Sequence, residues 1–239
     1  MLPAPVLGLI DRLPRDSDVV FDADGTLWRG DVGEDFLRFA IHRRLVAGSY
    51  ERYEALLHES AARAYAYCVE VMRGLEAAEL QAACDAFFVE RFRGRVFSFV
   101  RPLLAALGAR GCRAWICSAS PRWTVLPGAA LLGIAAERVI GVTCALDRGR
   151  LSGVVEQPVP VGPGKVTWLE RSGVRPALGV GNGDFDVDML AFAAHALVIS
   201  PPDSENQLVR HARAHGWAIL TAGDSRAWRT VEDPGPMTA

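Results

Sequence analysis

Four groups of polar residues in the sequence follow short apolar runs. They are Asp22 with Asp24, Ser118 with Ser120, Lys165 at a Gly-Pro-Gly turn, and Asn182 with Asp184 and Asp186. Two aspartates two residues apart in extended chain point the same way, and such carboxylates repel unless a cation lies between them or one is protonated. Mg²⁺ suits this role because it takes carboxylate, phosphate and water oxygens. A nearby lysine and serine hydroxyl would hold the other oxygens of a phosphoryl group, so the residue types indicate phosphoryl chemistry.

Lys165 is the only lysine among 26 basic residues. Since arginine serves at every other basic position, the lone lysine is either an accident or the mark of a site that needs a compact ammonium.

The elements that must position these residues alternate between strand and helix. Apolar runs predict strands at Val19–Phe21, Arg113–Cys117, Ala177–Val180 and Ala196–Ser200, and a hairpin joining Val139–Ala145 to Leu151–Val155. This alternation predicts an α/β fold with a doubly wound parallel sheet, whose ligand crevice lies at the carboxyl ends of the strands. The polar groups should therefore meet at one edge of the sheet.

A block of about 65 residues after the first strand has helical periodicity and no strand signal. Asp31 is the expected N-cap of its first helix, and further helices are expected at Tyr50–Arg73 and Glu76–Arg93. We predict an α/β core formed by residues 1–28 and 100–239, with residues 29–99 inserted as a helical cap.

Composition narrows the class of protein. The 239 residues are 50% apolar and 23% charged, with a formal net charge of −2, which is typical of a globular chain and gives no electrostatic basis for binding nucleic acid or an anionic membrane. The five cysteines have no metal-type or paired spacing, which favours a reducing compartment. No apolar run has the length of a membrane span and no basic leader is present, so we expect a cytoplasmic protein without membrane or nucleic-acid partners.

Four segments, in order, resemble the motifs of the haloacid dehalogenase superfamily of phosphohydrolases. The segment FDADGTLW (21–28) resembles the first motif, WICSAS (115–120) the second, Lys165 the third and GNGDFDVDML (181–190) the fourth. The helical insertion, the SASP stretch and the segment TCALDRGRLSG (143–153) are similar to the phosphoserine-phosphatase-like subgroup. Four motifs in sequence at strand ends are far more specific than a single DxDGT.

The resemblance implies a role for each matching residue. Asp22 would be the nucleophile that forms an aspartyl-phosphate, and Asp24 the general acid and base as well as a metal ligand through its carbonyl. Ser118 and Lys165 would bind the phosphoryl group, and Asp186 would belong to the metal site by ordering the water around the ion. The implied function is Mg²⁺-dependent hydrolysis of a small phosphomonoester, with Mg²⁺ as cofactor and a small phosphorylated metabolite as substrate.

Two positions depart from the family pattern. Asn182 stands where the family supplies an aspartate ligand, so either the amide oxygen coordinates Mg²⁺ or Asp184 takes over. Asp31 falls at the acidic position that contacts the substrate in phosphoserine phosphatases, whereas Cys68 falls at their arginine position, which argues against phosphoserine itself.

Other interpretations remain open beside this one. The main alternative is a non-catalytic protein that binds a phosphorylated ligand, because Asn182 replaces an aspartate of the family's metal site. A phosphotransferase or a dehalogenase is disfavoured, since dehalogenation needs only one aspartate nucleophile and would leave Asp24 without a role. Ser120 is predicted to be a helix N-cap rather than a functional residue. Trp28, Tyr65 and Tyr67 form either core or an aromatic wall for a cation, and core is favoured.

Overall fold

The computed structural model describes residues 2–202 and 204–221. Its strands are β1 (Asp18–Phe21), β2 (Arg113–Pro121), β3 (Val139–Val142), β4 (Cys144–Asp147), β5 (Arg150–Val155), β6 (Leu178–Gly181), β7 (His195–Ser200) and β8 (Ala218–Thr221). Its α-helices are α1 (Ala4–Arg12), α2 (Val32–His42), α3 (Tyr50–Glu59), α4 (Ala61–Glu70), α5 (Ala77–Arg91), α6 (Val100–Ala109), α7 (Arg122–Leu131), α8 (Pro163–Arg171), α9 (Val187–Phe192) and α10 (Gln207–His215). Short 3₁₀ turns lie at Arg93–Arg95, Ala136–Arg138 and Asp184–Asp186.

Six of the strands form one parallel sheet in the spatial order β3-β2-β1-β6-β7-β8. The chain runs outward from β1 in one direction through β2 and β3, and then returns to β6 on the other side. The order therefore reverses beside β1, which is where such sheets open a ligand crevice. The predicted doubly wound α/β fold is confirmed.

Strand β1 is buried on both faces, as its uninterrupted apolar sequence predicts. Val19 and Phe21 join the largest apolar cluster on one face, while Val20 joins a second cluster with Leu169 of α8 and Met189 of α9 on the other. This two-residue period carries through to Asp22, the first residue beyond the strand.

Helices α2 to α5 fill the chain between β1 and β2. Asp31 caps α2 as predicted, since its carboxylate accepts a hydrogen bond from the Glu34 N–H at 2.8 Å. The single helix predicted at Tyr50–Arg73 is wrong. Ser60, with extended backbone at φ −167°, ends α3 and begins α4, consistent with the preference of serine for helix ends over helix interiors.

The connection between α4 and α5 is bonded to the hairpin formed by β4 and β5. The Gly74 N–H donates to the Leu151 carbonyl at 2.8 Å, and the Leu151 N–H donates to the Leu75 carbonyl at 3.0 Å. The largest apolar cluster also contains residues from both sides of the predicted boundary, including Phe36 and Leu103. The division into core and cap stays a prediction.

Three further differences from the sequence prediction concern short elements. The strand expected at Val139–Ala145 is divided, because residues up to Val142 pair with β2 in the main sheet and those from Cys144 onward turn into the hairpin. Helix α1 and strand β8 were not predicted, since neither run is long enough to establish a period. Residues 222–239 of the predicted core lie outside the described residues.

Phe88 of α5 offers a test of how firmly the inserted helices are packed. Its ring is buried and meets Trp28 edge to face, with ring centroids 5.3 Å apart. We expect Phe88→Ala to lower the free energy of unfolding by about 3–5 kcal/mol, measured by urea denaturation. The control is Val89→Ala on the same helix, where the side chain is 60% exposed and the change should stay near about 0.5 kcal/mol. Equal losses in both variants would contradict this packing.

Candidate active site

Asp22 lies directly beyond β1, where its N–H continues the sheet by donating to the Val180 carbonyl at 2.8 Å. Its carboxylate accepts hydrogen bonds from the Lys165 ammonium at 2.7 Å and from the Thr26 hydroxyl at 3.2 Å. Burial, together with the neighbouring Asp186 carboxylate, raises the pKa of Asp22 to about 6, against the opposing attraction of Lys165. The predicted nucleophile is thus a nearly buried carboxylate beside a cation.

Lys165 lies in the first turn of α8 and is 1% exposed. Its ammonium donates to Asp22 at 2.7 Å and to Asp186 at 2.6 Å. Although burial disfavours the charged form, the two carboxylates raise the pKa of Lys165 above its ordinary value. Of the two explanations left open for the lone lysine, a specific site is the one that this burial supports.

Asp186 uses both of its oxygens within the protein. One accepts from Lys165, and the other accepts from the N–H groups of Asn182 at 2.9 Å and Gly183 at 3.0 Å. Asp186 therefore fixes the turn that follows β6 as well as the ammonium. Asp184, in contrast, is exposed.

Asp24 is held by three donors from three different segments. One oxygen accepts from the Trp28 indole N–H at 2.7 Å and from the Val32 N–H at 2.8 Å, and the other accepts from the Ser120 hydroxyl at 2.6 Å. Burial and the nearby Asp31 carboxylate raise the pKa of Asp24 above its ordinary value, against the Ser120 hydrogen bond. A carboxyl group with a raised pKa suits a group that must give and take a proton.

The prediction that Ser120 is a helix N-cap is wrong. Helix α7 begins after Pro121 and has no side-chain cap, whereas the Ser120 hydroxyl lies 2.6 Å from Asp24 and 3.4 Å from Asp31. Gly33 permits this approach, because a Cβ atom there would lie 2.7 Å from the Ser120 oxygen. The contact joins residues distant in sequence, so only folding reveals it.

Ser118 is 1% exposed, and its oxygen accepts the Ser120 N–H at 3.0 Å. This bond leaves the proton of the Ser118 hydroxyl available to a ligand. The residue lies in β2, next to β1 in the sheet, so the structure brings the predicted phosphate-binding residue to the same edge as Asp22.

The Asn182 amide, the Asp24 main-chain oxygen and the Asp22 carboxylate converge and offer a place for a metal ion. One terminal atom of the Asn182 amide lies 2.9 Å from the Asp24 main-chain oxygen, 3.2 Å from an Asp22 carboxylate oxygen and 2.8 Å from the Thr26 hydroxyl. Gly25, at φ +77°, allows the approach, since a Cβ there would lie 2.2 Å from the amide. Neighbouring ligands of an octahedral Mg²⁺ are about 2.9 Å apart, so the donor set fits this ion.

The two orientations of the Asn182 amide have different consequences. If the oxygen faces Asp22 and Asp24, three oxygens meet, and a cation is needed to hold them together. If the nitrogen faces them, its two protons satisfy both acceptors without an ion. Asp186 contributes no oxygen to this triad, although it was expected in the metal site, and the exposed Asp184 contributes none either.

Asp31 lies on the side of the site formed by the inserted helices. Burial raises the pKa of Asp31 to about 6. Hydrogen bonds from the N–H groups of Glu34 and Gly33 partly oppose this rise, whereas the carboxylates of Glu34 and Asp35 add to it. Tyr65 of α4 lies near the same carboxylates: burial, Asp31, Asp24 and Asp22 all raise the pKa of its hydroxyl.

The three aromatic residues that could form either core or a wall of the site lie in different environments. Trp28 is fully buried in the core, and its indole also positions Asp24. Tyr67 is structural, since its hydroxyl accepts the Ser49 N–H at 2.9 Å. Tyr65 lies close enough to Asp31, Asp24 and Asp22 for their charges to act on its hydroxyl. Apart from their places inside the first and second motifs, nothing in the sequence indicates the roles of Thr26 and Ser120.

The chain is a doubly wound α/β protein with a polar cleft at the carboxyl ends of β1, β2 and β6, and sequence comparison identifies the family. The family model for haloacid dehalogenase-like hydrolases matches residues 19–191. The chain belongs to this family. No curated protein matches the sequence significantly.

Solved structures support the same fold at low sequence identity. A protein of unknown function from Bordetella pertussis Tohama I is 18% identical with a TM-score of 0.73, over 85% of this chain and 98% of that one. A haloacid dehalogenase family hydrolase from Salmonella enterica serovar Typhi is 17% identical with a TM-score of 0.61, over 88% and 68%. A phosphoserine phosphatase captured as a phospho-aspartyl intermediate analogue is 17% identical with a TM-score of 0.57, over 89% and 96%. Within the described residues, no helix has the length and apolar character needed to cross a membrane.

Asp31→Asn is expected to stabilise the protein in a pH-dependent way. The pKa of Asp31 rises from 3.8 to about 6 on folding, so the stability present below about pH 4 is lost as the pH rises through 6. Asparagine also caps helices well and carries no charge to bury. Urea denaturation should show a gain in the free energy of unfolding at about pH 8 that shrinks towards about pH 4.

The control for this prediction is Asp35→Asn in the same helical turn. The Asp35 carboxylate accepts from Arg95 at 2.8 Å, so its neutralisation removes a favourable contact and should stabilise the protein at neither pH. A pH-independent effect of Asp31→Asn would contradict the raised pKa.

Proposed function

We propose that this hydrolase is a Mg²⁺-dependent phosphatase that cleaves a small phosphomonoester through an aspartyl-phosphate on Asp22. The observation that carries the proposal is the position of this one carboxylate. It lies within hydrogen-bond distance of a buried ammonium, and one of its oxygens lies 3.2 Å from the terminal atom of the Asn182 amide that also approaches the Asp24 main-chain oxygen at 2.9 Å. A phosphoryl group beside Asp22 would therefore meet the Lys165 ammonium and, once Mg²⁺ is bound, a second positive charge.

In the first step an Asp22 oxygen attacks phosphorus and forms the acyl-phosphate bond while the ester P–O bond breaks. The leaving oxygen takes a proton from Asp24, whose raised pKa favours the protonated form. Lys165 and Ser118 hold the non-bridging oxygens, one by its ammonium and the other by its free hydroxyl proton. Substrate positioning falls to the inserted helices, with Asp31 as the proposed recognition residue.

In the second step the Asp24 carboxylate takes a proton from water, which attacks phosphorus and releases inorganic phosphate and free Asp22. Splitting the hydrolysis into two displacements lets one carboxyl group serve as acid and then as base. Mg²⁺, held by Asp22, the Asp24 carbonyl and the Asn182 amide oxygen, would neutralise charge on the phosphoryl group. Asp186 keeps Lys165 in place throughout, and its proposed part in the metal site is to order water around the ion.

A second candidate is a protein that binds a phosphorylated ligand without turnover. The Asn182 amide favours it, because its NH₂ group can satisfy Asp22 and Asp24 with no metal present. The two functions differ in what Asp22 does, and that difference can be measured.

The decisive experiment is hydrolysis of p-nitrophenyl phosphate with and without Mg²⁺. Wild type should turn over only with the metal, and Asp22→Asn should lose at least about 10³-fold in kcat, because an amide cannot attack phosphorus. The matched control is Asp184→Asn, an exposed aspartate in the same sheet-edge loop region, which should retain activity. Wild-type rates in Asp22→Asn, with circular dichroism unchanged, would overturn the mechanism.

Asn182→Asp tests the metal site separately. A carboxylate in place of the amide adds one negative charge to the triad and should tighten Mg²⁺ binding by about ten-fold or more. Calorimetric titration of Mg²⁺ into wild type and variant measures this directly, with Asp184→Asn again as control. An unchanged Mg²⁺ affinity would place Asn182 outside the ligand set and favour the non-catalytic candidate.

A further inference from the structure

The two oxygens of the Asp24 carboxylate have different kinds of hydrogen-bond partner. Oδ1 accepts from the Trp28 indole N–H at 2.7 Å and from the Val32 N–H at 2.8 Å. Neither nitrogen can accept a hydrogen bond, so a proton on Oδ1 would face two donors. The carboxyl proton that Asp24 needs as a general acid therefore belongs on Oδ2.

Oδ2 of Asp24 lies 2.6 Å from the Ser120 hydroxyl oxygen. A hydroxyl rotates about its C–O bond and carries both a proton and lone pairs, so it is compatible with a protonated or an ionised neighbour. The Ser120 oxygen also lies 3.4 Å from the Asp31 carboxylate, which gives its proton a second acceptor while Oδ2 is protonated. Ser120 thus suits both of the states that Asp24 must adopt as acid and as base.

The Ser120 hydroxyl is held in place by its surroundings. Ser120 lies near the end of β2, is 3% exposed, and donates its N–H to the Ser118 oxygen at 3.0 Å. Gly33 of α2 packs against it so closely that a Cβ atom there would lie 2.7 Å from the hydroxyl oxygen. A donor fixed in this way needs no reorganisation when charge develops beside it.

No structural role of the Ser120 hydroxyl competes with this contact. Helix α7 begins after Pro121 without a side-chain cap. Within residues 2–202 and 204–221, the Ser120 side chain bonds to the two carboxylates of Asp24 and Asp31 and to nothing else.

We propose, resting on the proposed function, that Ser120 is a positioning residue for proton transfer, which orients Oδ2 of Asp24 and donates its hydroxyl proton to the carboxylate that the transfer leaves behind. In the first step the ester P–O bond breaks, the Oδ2 proton passes to the leaving oxygen, and negative charge develops on Oδ2. Ser120 stabilises that charge. A hydrogen bond that is stronger in the transition state than before it accelerates the step.

The test compares two aryl phosphates whose leaving oxygens differ in their need for a proton. p-Nitrophenolate is a weak base and leaves without one, whereas phenolate is a stronger base and needs protonation as the bond breaks. The quantity measured is kcat/KM with Mg²⁺ present, because it covers the reaction up to bond cleavage and excludes hydrolysis of the aspartyl-phosphate. Ser120→Ala should lower kcat/KM for phenyl phosphate by about ten-fold or more, and for p-nitrophenyl phosphate by less than about three-fold.

Thr124→Val is the matched control. Thr124 is 1% exposed, and its hydroxyl donates to the Pro121 carbonyl at 2.8 Å, so the variant removes a nearby buried hydroxyl that does not contact Asp24. It should leave the ratio of the two esters unchanged. Inorganic phosphate should inhibit Ser120→Ala with wild-type affinity, because Ser118 is bonded by the Ser120 main-chain N–H, which the substitution keeps.

A double-mutant cycle measures whether Ser120 acts through Asp24. Asp24→Asn has no carboxyl proton to transfer, so adding Ser120→Ala to it should change kcat/KM for phenyl phosphate by less than about two-fold. Gly33→Ala is a second variant that keeps the hydroxyl but displaces it from Asp24, since the added Cβ would lie 2.7 Å from the Ser120 oxygen. It should also slow phenyl phosphate more than p-nitrophenyl phosphate.

The outcomes separate this inference from the proposed function. Absence of Mg²⁺-dependent hydrolysis of p-nitrophenyl phosphate by wild type would overturn both. Equal losses for the two esters in Ser120→Ala, or the same loss with and without Asp24→Asn, would overturn the inference alone and mark Ser120 as structural. If Ser120→Ala does not fold, an unchanged ratio of the two esters in Gly33→Ala overturns the inference.

Discussion

The Lys165 ammonium is buried between the carboxylates of Asp22 and Asp186, at 2.7 and 2.6 Å. Removing one partner of a buried ion pair costs about 3–5 kcal/mol, so the three side chains hold one another in place. They come from the end of β1, the start of α8 and the turn after β6. Because Asp186 also accepts the Asn182 and Gly183 N–H groups, the same constraint sets the position of the Asn182 amide against Asp22.

The inserted helices take part in the site as well as covering it. The first N–H of α2 donates to Asp24, and the cap residue of that helix, Asp31, meets the Ser120 hydroxyl. The N-terminus of a helix favours a carboxylate through its free N–H groups and its dipole. The orientation of Asp24, and with it the proposed proton transfer, therefore depends on the packing of α2.

Carboxylates outnumber cations among the residues of the site. Asp22 and Asp186 share the Lys165 ammonium, whereas Asp24 and Asp31 approach only the neutral hydroxyl of Ser120. A phosphoryl group needs added positive charge at the Asp22 end, which the oxygen triad would supply through Mg²⁺.

The sequence alone determined the α/β class, the strands that carry Asp22 and Ser118, and the cap at Asp31, because apolar period, capping and motif order are local signals. It also marked Lys165 as exceptional, through composition. Only the tertiary structure decided that Ser120 bonds to Asp24 rather than capping α7, and that Tyr65 lies near Asp31, Asp24 and Asp22. Those outcomes depend on contacts between residues far apart in the chain, such as Ser120 and Asp24, 96 positions apart, and no local pattern encodes which distant side chains will meet.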